Sequence, residues 1–573
     1  MHFELIQLTT LFFLSQIQCD YLKRVFYSDS TPLLCTSKIE CDKAKAKLNT
    51  YCSMCGIIMP VVKFLVITDQ TEVVERLALS ICVGPDKSNT QMCKQLINTY
   101  KKTVYEVLQE TPLSEDELCH AFLECKPVTN KVLNWTIPLT NISKPTITTP
   151  KTPSPDSPSV RILHLTDIHL DLEYQPGSLA NCDQPLCCRN ESTSTKKDVL
   201  INNLAGQWGD YRFCDLPLWT LESMFEHISK NEKFDFIYWT GDLGPHDVWV
   251  DSKPTQLAYF EKLTELFQKY FPGKKVYSTV GNHDTEPDNL YPFSQPKSMS
   301  WLYDFIYEDW IMLGVPRSQK SNILKGGFYT FELYPGLRLF ALNNVYCYAY
   351  NFWLFIDSFD PLEQLNFLVK VLQESENKGE KVHIIGHINP SGCMRSFSEA
   401  YYKIVNRYES TIIGQFFGHT HSDEFELFYD LDDKKRPVGI AYMTGSVSTY
   451  TFQNPAYRIF TIDGFYKNST FQIMDHETMF LNISETNMKP NETPIWKKEY
   501  SAKEAYGLKS LQPSEWNELI ERLWNNLEDP LFDKIYKFYS KSYDLAKSCD
   551  LNCRKSFICK FRQARSDYSI KCY

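Results

Sequence analysis

The sequence has no excess of basic residues. It contains 60 Lys and Arg against 70 Asp and Glu, which gives a formal net charge of -10. Because proteins that bind nucleic acid need a basic surface to meet the phosphates, this balance argues against a nucleic-acid partner. Contact with a membrane stays open, since an acidic compartment would neutralise part of the carboxylate charge.

Beyond its N-terminus the sequence also lacks a run of about twenty uninterrupted apolar residues, the length that a helix needs to cross a bilayer. The apolar run Leu11–Leu14 is much shorter, and polar residues and Cys19 follow it. Although no Lys or Arg precedes this run, the pattern is typical of a secretory signal peptide, which we place at residues 1–19. We therefore predict a mature protein without a transmembrane segment.

Cysteine usage supports secretion independently. The 573 residues include 19 cysteines in clusters, and 18 would remain to pair if Cys19 leaves with the signal peptide. We expect a secreted or lysosomal protein of two or three domains that acts as a monomer. Acceptor sites for N-glycosylation of the form Asn-X-Ser/Thr occur at Asn134, Asn141, Asn190, Asn468, Asn482 and Asn491.

Residues 48–128 form a predicted helical unit with six cysteines. Apolar residues recur at helical spacing between Cys55 and Val66, and further helices are predicted at Glu72–Val83, Thr90–Leu108 and Glu115–Leu123. The pair Cys52-X-X-Cys55 is open to two interpretations, a zinc or redox site and a disulfide scaffold. Zinc requires a second close pair, which Cys119 and Cys125 do not provide, so the scaffold is favoured.

This six-cysteine helical pattern resembles the saposin-type domain. The resemblance implies the pairs Cys52–Cys125, Cys55–Cys119 and Cys82–Cys93, and it implies binding to lipid surfaces through an apolar inner face. The alternative is a stabilising cap that does not touch lipid. Cys35 and Cys41 lie outside the pattern and could pair with each other.

Two other parts of the chain differ from the rest in composition. Residues 129–159 are rich in Pro and Thr and predict a semi-rigid linker. Residues 499–573 predict a C-terminal region of helices, at Trp516–Leu527 and Asp529–Tyr543, pinned by four cysteines. We interpret its role as structural, because nothing in it resembles catalytic chemistry.

Between these parts, residues 160–480 alternate apolar runs with amphipathic segments, which predicts a layered α/β domain. Helices are predicted at Leu216–Ser229, Gln256–Tyr270 and Pro361–Glu376. The predicted strands are Val160–Leu165, Phe234–Trp239, Lys275–Val280, Leu337–Leu342, Val382–Ile385, Ile412–Phe417 and Ile440–Met443.

Five polar clusters follow these apolar runs, at the strand ends where α/β domains gather their ligands. They supply the candidate metal ligands Asp167, His169, Asp242, Asn282, His387, His419 and His421. Each cluster alone could be a turn or a cap. Together they mix carboxylate and amide oxygens with imidazoles, which suits two divalent metal ions of the zinc, manganese or iron type.

In this order the clusters resemble the calcineurin-like metallophosphoesterase superfamily, whose fold is a β-sandwich flanked by helices. The resemblance implies one metal ion on Asp167, His169, Asp242 and His421. It implies a second ion on Asp242, Asn282, His387 and His419, so that Asp242 bridges the two.

Water held between two cations has a lowered pKa and can attack a phosphoryl group as hydroxide. The leaving alkoxide still needs a proton from a group that does not bind the metal. His283 is our first candidate for this acid and His246 the second, and either could instead orient phosphate oxygens. His164 and His383 lie within apolar runs and are expected to be core residues.

A saposin-type module, a linker and this catalytic domain on one chain resemble the acid sphingomyelinase family over nearly the whole sequence. The resemblance implies a zinc phosphodiesterase that hydrolyses membrane sphingomyelin to ceramide and phosphocholine, with the module presenting the lipid. Asp284 departs from the Glu that is usual in the family, a change expected to affect substrate fit at the rim. The implied disulfides here are Cys182–Cys187, Cys188–Cys214, Cys347–Cys393, Cys549–Cys553 and Cys559–Cys572.

Two other functions stay open. Relatives that act on nucleotides or other soluble phosphodiesters share the metal chemistry but typically lack the module. A catalytically inactive lipid-binding or transfer protein is the third hypothesis, and the presence of all seven ligand residues argues against it.

Overall fold

A computed structural model of the chain describes residues 38–83, 89–123, 128–139, 143–147, 153, 156–192, 203–544 and 548–566. The predicted signal peptide and the predicted Cys35–Cys41 bridge lie outside the described residues, and so does Asn141. The side chains of residues 38–49 lie outside them as well.

Among its described residues, the N-terminal part has four helices: α1 (Lys38–Ile67), α2 (Thr71–Val83), α3 (Thr90–Glu110) and α4 (Glu115–Leu123). A disulfide between Cys55 and Cys119 joins α1 to α4, and one between Cys82 and Cys93 joins α2 to α3. Cys52 is also in a disulfide, and its predicted partner Cys125 lies outside the described residues. The disulfide scaffold is therefore confirmed against the zinc interpretation.

One face of this helical unit packs on the rest of the protein. Tyr100 donates a hydrogen bond to the Asp288 carbonyl oxygen (3.3 Å), and Thr111 donates one to that of Phe355 (2.6 Å). Within the described residues, the segment Thr50–Ile67 of α1 is long and apolar enough to cross a membrane by length and composition. The predicted absence of a transmembrane segment therefore stays a prediction.

The catalytic domain contains two six-stranded sheets. The strand order of the first is β14-β13-β12-β1-β4-β5, and that of the second is β10-β11-β9-β8-β7-β6. The strands are β1 (Ser159–Leu165), β4 (Phe236–Trp239), β5 (Lys275–Ser278), β6 (Tyr329–Tyr334), β7 (Leu337–Ala341), β8 (Lys381–Ile385), β9 (Ile412–Phe417), β10 (Glu424–Tyr429), β11 (Pro437–Met443), β12 (Ala456–Asp463), β13 (Ile473–Phe480) and β14 (Lys497–Ser501). A small third sheet pairs β2 (Leu170–Asp171) with β3 (Leu216–Pro217).

Each sheet contains a set of adjacent parallel strands, which explains why the sequence shows continuous apolar runs there. The strands β1, β4 and β5 run parallel, as do β7, β8, β9 and β11. The two sheets pack face to face: Phe460 of β12 meets Phe416 of β9 at 4.9 Å between ring centroids, and Tyr238 of β4 is 3.1 Å from Nδ1 of His383. Strands in such a position are buried on both faces, so their sequences do not alternate.

Helices cover the outside of this sandwich, which confirms the predicted fold class. The three predicted helices are found close to their expected bounds, as α5, α6 and α9. The helices of the domain are α5 (Leu218–Asn231), α6 (Lys253–Tyr270), α7 (Ser300–Leu313), α8 (Lys320–Gly326), α9 (Gln364–Lys378), α10 (Arg395–Arg407) and α11 (Ile483–Asn487).

The C-terminal region is helical, as predicted, but it does not begin that way. Its first segment is the edge strand β14, which pairs with β13. The helices that follow are α12 (Ala502–Tyr506), α13 (Pro513–Asn525), α14 (Pro530–Tyr539) and α15 (Leu551–Phe561). The prediction missed β14 because Lys497-Lys498-Glu499 is polar and lacks the apolar run of a central strand.

Four more disulfides match the predicted pairs. They join Cys182 to Cys187, Cys188 to Cys214, Cys347 to Cys393 and Cys549 to Cys553. Cys559 is also disulfide-bonded, and its predicted partner Cys572 lies outside the described residues.

The described parts of the predicted linker lie against the catalytic domain. Trp135 donates from its indole nitrogen to Oγ of Ser358 (2.9 Å), and Lys144 pairs with Glu409 at 2.6 Å. The linker boundaries themselves stay a prediction.

The contact between the two sheets can be tested at Phe460, which is fully buried and touches the ring of His476 in the first sheet and that of Phe416 in the second. We expect Phe460→Ala to destabilise the protein by about 3–5 kcal/mol, because the change leaves a cavity between the sheets. Chemical denaturation would measure the loss, with Met312→Ala, at a side chain that is 59% exposed, as the control. Equal denaturation midpoints for the two variants would contradict the packing described.

Candidate functional site

The seven candidate metal ligands all follow parallel strands, and they meet at the carboxyl ends of those strands, where the two sheets come together. Asp167 and His169 follow β1, Asp242 follows β4, and Asn282 lies four residues beyond β5. From the second sheet, His387 follows β8, and both His419 and His421 follow β9. All seven side chains are buried.

Strained backbone turns these side chains inward. Asp167, His169, Asp242, His419 and His421 all have positive φ angles, between 39° and 70°. Non-glycine residues adopt this region only where the surrounding structure holds them there, and such strain concentrates at functional sites. Gly281 permits a close approach of the backbone to Asp242, because a Cβ at that position would lie 2.0 Å from Oδ1 of Asp242.

The ligand atoms form two adjacent groups. In the first, Nε2 of His169 lies 3.1 Å from Nε2 of His421 and 3.6 Å from Oδ2 of Asp242, and Asp167 Oδ1 lies 3.6 Å from His421 Nε2. In the second, Nε2 of His387 lies 3.0 Å from Oδ2 of Asp242 and 3.0 Å from Oδ1 of Asn282.

His419 joins the second group. One ligand atom each from Asp242, His387 and His419 lies within 4.8 Å of the others. Asp242 belongs to both groups, which is the position required of a bridging carboxylate.

The hydrogen bonds of the imidazoles show that this arrangement suits cations. Nδ1 of His387 lies 2.7 Å from the Thr240 carbonyl oxygen, and Nδ1 of His169 lies 2.8 Å from that of Gly244. A carbonyl oxygen only accepts, so each Nδ1 carries the hydrogen and each Nε2 of a neutral ring presents a lone pair. Both Nε2 atoms lie near Oδ2 of Asp242, at 3.0 Å and 3.6 Å, and this buried oxygen accepts no hydrogen bond from the described residues.

Acceptors that converge in this way repel one another unless a cation lies among them. The donor set of imidazoles, carboxylates and one amide therefore fits divalent metal ions, as the strand-end clusters predict.

The two candidate acids lie together beside the first group. The ring centroids of His246 and His283 are 4.7 Å apart, and they lie 4.1 Å and 5.0 Å from that of His169. Nδ1 of His283 is 2.8 Å from Asp288 Oδ2, and Nδ1 of His246 is 2.9 Å from both carboxylate oxygens of Asp215. Each ring is thus oriented by a carboxylate at its Nδ1.

Several residues that support the site could not be found from local sequence patterns. Asp284 is fully buried, and its carboxylate accepts from the backbone N–H of Gly281 (2.6 Å), Leu243 (2.9 Å) and Asp242 (3.0 Å). Asp284 was expected at the rim, where it would affect substrate fit, but it lies in the interior, and its hydrogen bonds join the loop of Asp242 to that of Gly281. Burial, together with the Asp242 carboxylate, raises the pKa of Asp284 to about 6.

Other supporting residues also come from distant segments. Asn344 accepts from the backbone N–H of His387 (2.9 Å), and the ring of Tyr450 stacks on that of His246 at 3.8 Å. His164 and His383, in contrast, lie between the sheets, where they were expected.

Comparisons with known proteins agree with this geometry. Residues 160–423 match the family described as calcineurin-like phosphoesterase, and residues 440–572 match the acid sphingomyelin phosphodiesterase C-terminal region. The chain is 38% identical to sphingomyelin phosphodiesterase of Bos taurus over 87% of this chain and 79% of that protein. It is 37% identical to the Homo sapiens protein of the same name, over 87% and 78%, and 35% identical to sphingomyelin phosphodiesterase 2 of Caenorhabditis elegans, over 90% and 87%.

The close approach at Gly281 can be tested by adding one methyl group. We expect Gly281→Ala to displace the Asp242 carboxylate and to lower the affinity for divalent metal about 10–100-fold, the usual effect of disturbing the supports of a metal site. Metal titration of the purified protein would measure this. Gly56→Ala is the control, since a Cβ there would meet nothing closer than 3.9 Å. Unchanged metal affinity in Gly281→Ala would show that the bridging position is wrongly assigned.

Proposed function

The chain belongs to the acid sphingomyelinase family of calcineurin-like phosphoesterases, and from this premise we propose that it hydrolyses sphingomyelin to ceramide and phosphocholine. One observation carries the proposal: buried acceptors from both sheets converge on Asp242, with two carboxylate-held histidines beside them. A phosphodiester bound there would meet cations on one side and proton donors on the other.

The residues of the two groups would hold the metal ions as the family resemblance implies. Asp167, His169, Asp242 and His421 would hold one ion, and Asp242, Asn282, His387 and His419 the other. Two divalent cations supply charge neutralisation at the phosphoryl oxygens and a lowered pKa for the attacking water. We propose zinc, because four of the seven ligands are imidazoles, which suit this ion better than magnesium or calcium.

His283 and His246 are proposed to protonate the leaving ceramide oxygen or to orient the phosphate. Asp288 and Asp215 fix the two rings and stabilise their protonated forms. Burial raises the pKa of Asp288 to about 6 against the opposing effect of His283.

The N-terminal helices offer a surface for the lipid. Ile57, Val61, Phe64 and Ile67 of α1 are 54–71% exposed, and Lys63 is the one charged residue between Thr50 and Ile67. Exposed apolar side chains in such a row are typical of proteins that contact membranes. This surface favours sphingomyelin over the alternative, nucleotides or other soluble phosphodiesters.

Secretion or delivery to a lysosome, and action as a monomer, remain part of the proposal. The disulfides described above fit an oxidising compartment. Asn134, Asn190, Asn468 and Asn491 are exposed and could carry glycans, whereas Asn482 is partly buried and caps α11.

Substrates with different leaving groups can show whether each histidine donates a proton or orients the phosphate. We expect His283→Gln and His246→Gln to lower kcat/KM for sphingomyelin about 10²–10⁴-fold if the residue donates a proton. The same variant should lose less than about tenfold on bis(p-nitrophenyl) phosphate, whose leaving group needs no proton. His227→Gln on α5 is the control. Equal losses on both substrates would instead assign the residue to orienting the phosphate.

The lipid surface can be tested with Ile57→Asp/Phe64→Asp. We expect at least about a tenfold lower rate on sphingomyelin vesicles and an unchanged rate on bis(p-nitrophenyl) phosphate, because two apolar side chains no longer enter the membrane. Met312→Asp, at a similarly exposed apolar residue of the catalytic domain, is the matched control.

Nucleoside triphosphates complete the substrate panel in the same assay. If the protein hydrolyses nucleotides efficiently and the α1 variant keeps the wild-type rate on vesicles, sphingomyelin is not the substrate. The alternative, a soluble phosphodiester, would then be favoured.

A further inference from the structure

A lysine of the C-terminal region, Lys541, contacts the backbone of the candidate metal ligand His421. Lys541 follows α14, and both it and Ser542 have positive φ angles, 52° and 56°. The backbone N–H of Lys541 donates to the Phe538 carbonyl oxygen (2.8 Å), and its own carbonyl accepts from Nδ2 of Asn454 (2.9 Å). This tight turn directs the Lys541 side chain inward, where it is fully buried.

The ammonium group of Lys541 has three acceptors for its three hydrogens. Nζ donates to the His421 carbonyl oxygen (2.8 Å), to Ser446 Oγ (2.8 Å) and to the Ser446 carbonyl oxygen (3.2 Å). An ammonium has three donors and no acceptor, so this arrangement satisfies it completely. Lys541 thus binds the backbone of a candidate metal ligand and the loop after β11 at the same time.

The loop held by Lys541 contacts the other parts of the site. The backbone N–H of Ser446 donates to the His421 carbonyl (3.0 Å), and that of Ser448 donates to the Asp167 carbonyl (3.0 Å). Oγ of Ser448 also donates to Oδ1 of Asp215, the residue that fixes His246. The segment Ser446–Ser448 therefore connects His421, Asp167 and the support of a candidate acid.

The chain leaves room for this lysine. A Cβ at Gly445 would lie 2.5 Å from Cδ and 3.1 Å from Cγ of Lys541, so a larger residue there would block the path of the lysine stem. Burial lowers the pKa of Lys541 to about 7, and the carboxylates of Asp167, Asp423 and Glu499 oppose this shift.

We propose that Lys541 is a positioning residue that holds the His421 carbonyl to the Ser446–Ser448 loop and so fixes the ligand group of Asp167, His169 and His421. The proposal rests on the metal assignment made under the proposed function. It gives the C-terminal region a part in assembling the metal site, beyond the purely structural role that its sequence predicts.

The test compares Lys541→Met with Lys560→Met by metal titration and thermal unfolding. Lys560 is a second lysine of the same region, and it pairs with Glu424 (2.5 Å) and Tyr539 (3.1 Å) rather than with a candidate ligand. We expect Lys541→Met to weaken binding of one of two zinc ions about 10–100-fold, as the loss of a supporting group does. Lys560→Met should lower the unfolding temperature and leave both zinc affinities within about threefold of the wild type.

A second variant covers the case in which Lys541→Met does not fold. Ser446→Ala removes one acceptor and keeps the backbone, and we expect the same zinc ion to bind more weakly, by a smaller factor. Wild-type zinc affinities in the folded variants would overturn the proposal. Because zinc binding is measured without substrate, a wild type that binds two zinc ions but leaves sphingomyelin intact would overturn the substrate and not the role of Lys541.

Discussion

One constraint dominates the structure: the carboxylate of Asp242 is buried next to other hydrogen-bond acceptors. His387 and His169 approach the same oxygen from the two ligand groups, at 3.0 Å and 3.6 Å. Such a cluster costs free energy unless cations and hydrogen bonds compensate it. The fold supplies part of that compensation through backbone donors: the N–H of His283 donates to Asp242 Oδ1 (2.8 Å), and the N–H of His419 donates to Asp167 Oδ1 (2.9 Å).

This constraint also couples the two sheets. Each ligand group takes residues from both, since His421 of the second sheet meets Asp167 and His169 of the first, and Asn282 of the first meets His387 of the second. Metal ions bound there would link the two sheets at the carboxyl ends of their parallel strands. Metal binding would therefore stabilise the folded protein. Aromatic contacts in the interior, such as that of Phe416 with Phe460, also hold the two sheets together.

Features that depend on neighbouring residues could be predicted from the sequence, whereas features that depend on residues distant in the chain could not. Asp167 and His169 could be identified because an apolar run ends immediately before them, which is a local pattern. Asp284 was misjudged because its function is to accept hydrogen bonds from a loop forty residues earlier, at Asp242 and Leu243. The strand β12 was missed because Arg458 and Thr461 interrupt its apolar run, and β13 was missed because its positions are partly exposed. The edge strand β14 has two exposed lysines at its start and shows no strand pattern at all.

The C-terminal region shows most clearly that local sequence patterns do not reveal all the residues that support the site. Its segments are polar or amphipathic and carry no catalytic motif, yet β14 extends the first sheet and Lys541 reaches the loop that contacts His421. Asp423, two residues beyond His421, accepts a hydrogen bond from Tyr500 of β14 (2.8 Å), and its backbone N–H donates to the Tyr539 carbonyl (3.0 Å). Residues more than seventy positions later therefore hold the segment that carries the last candidate metal ligand, His421. A catalytic domain that ended at β13 would lack these contacts, so the two regions form one structural unit around the site.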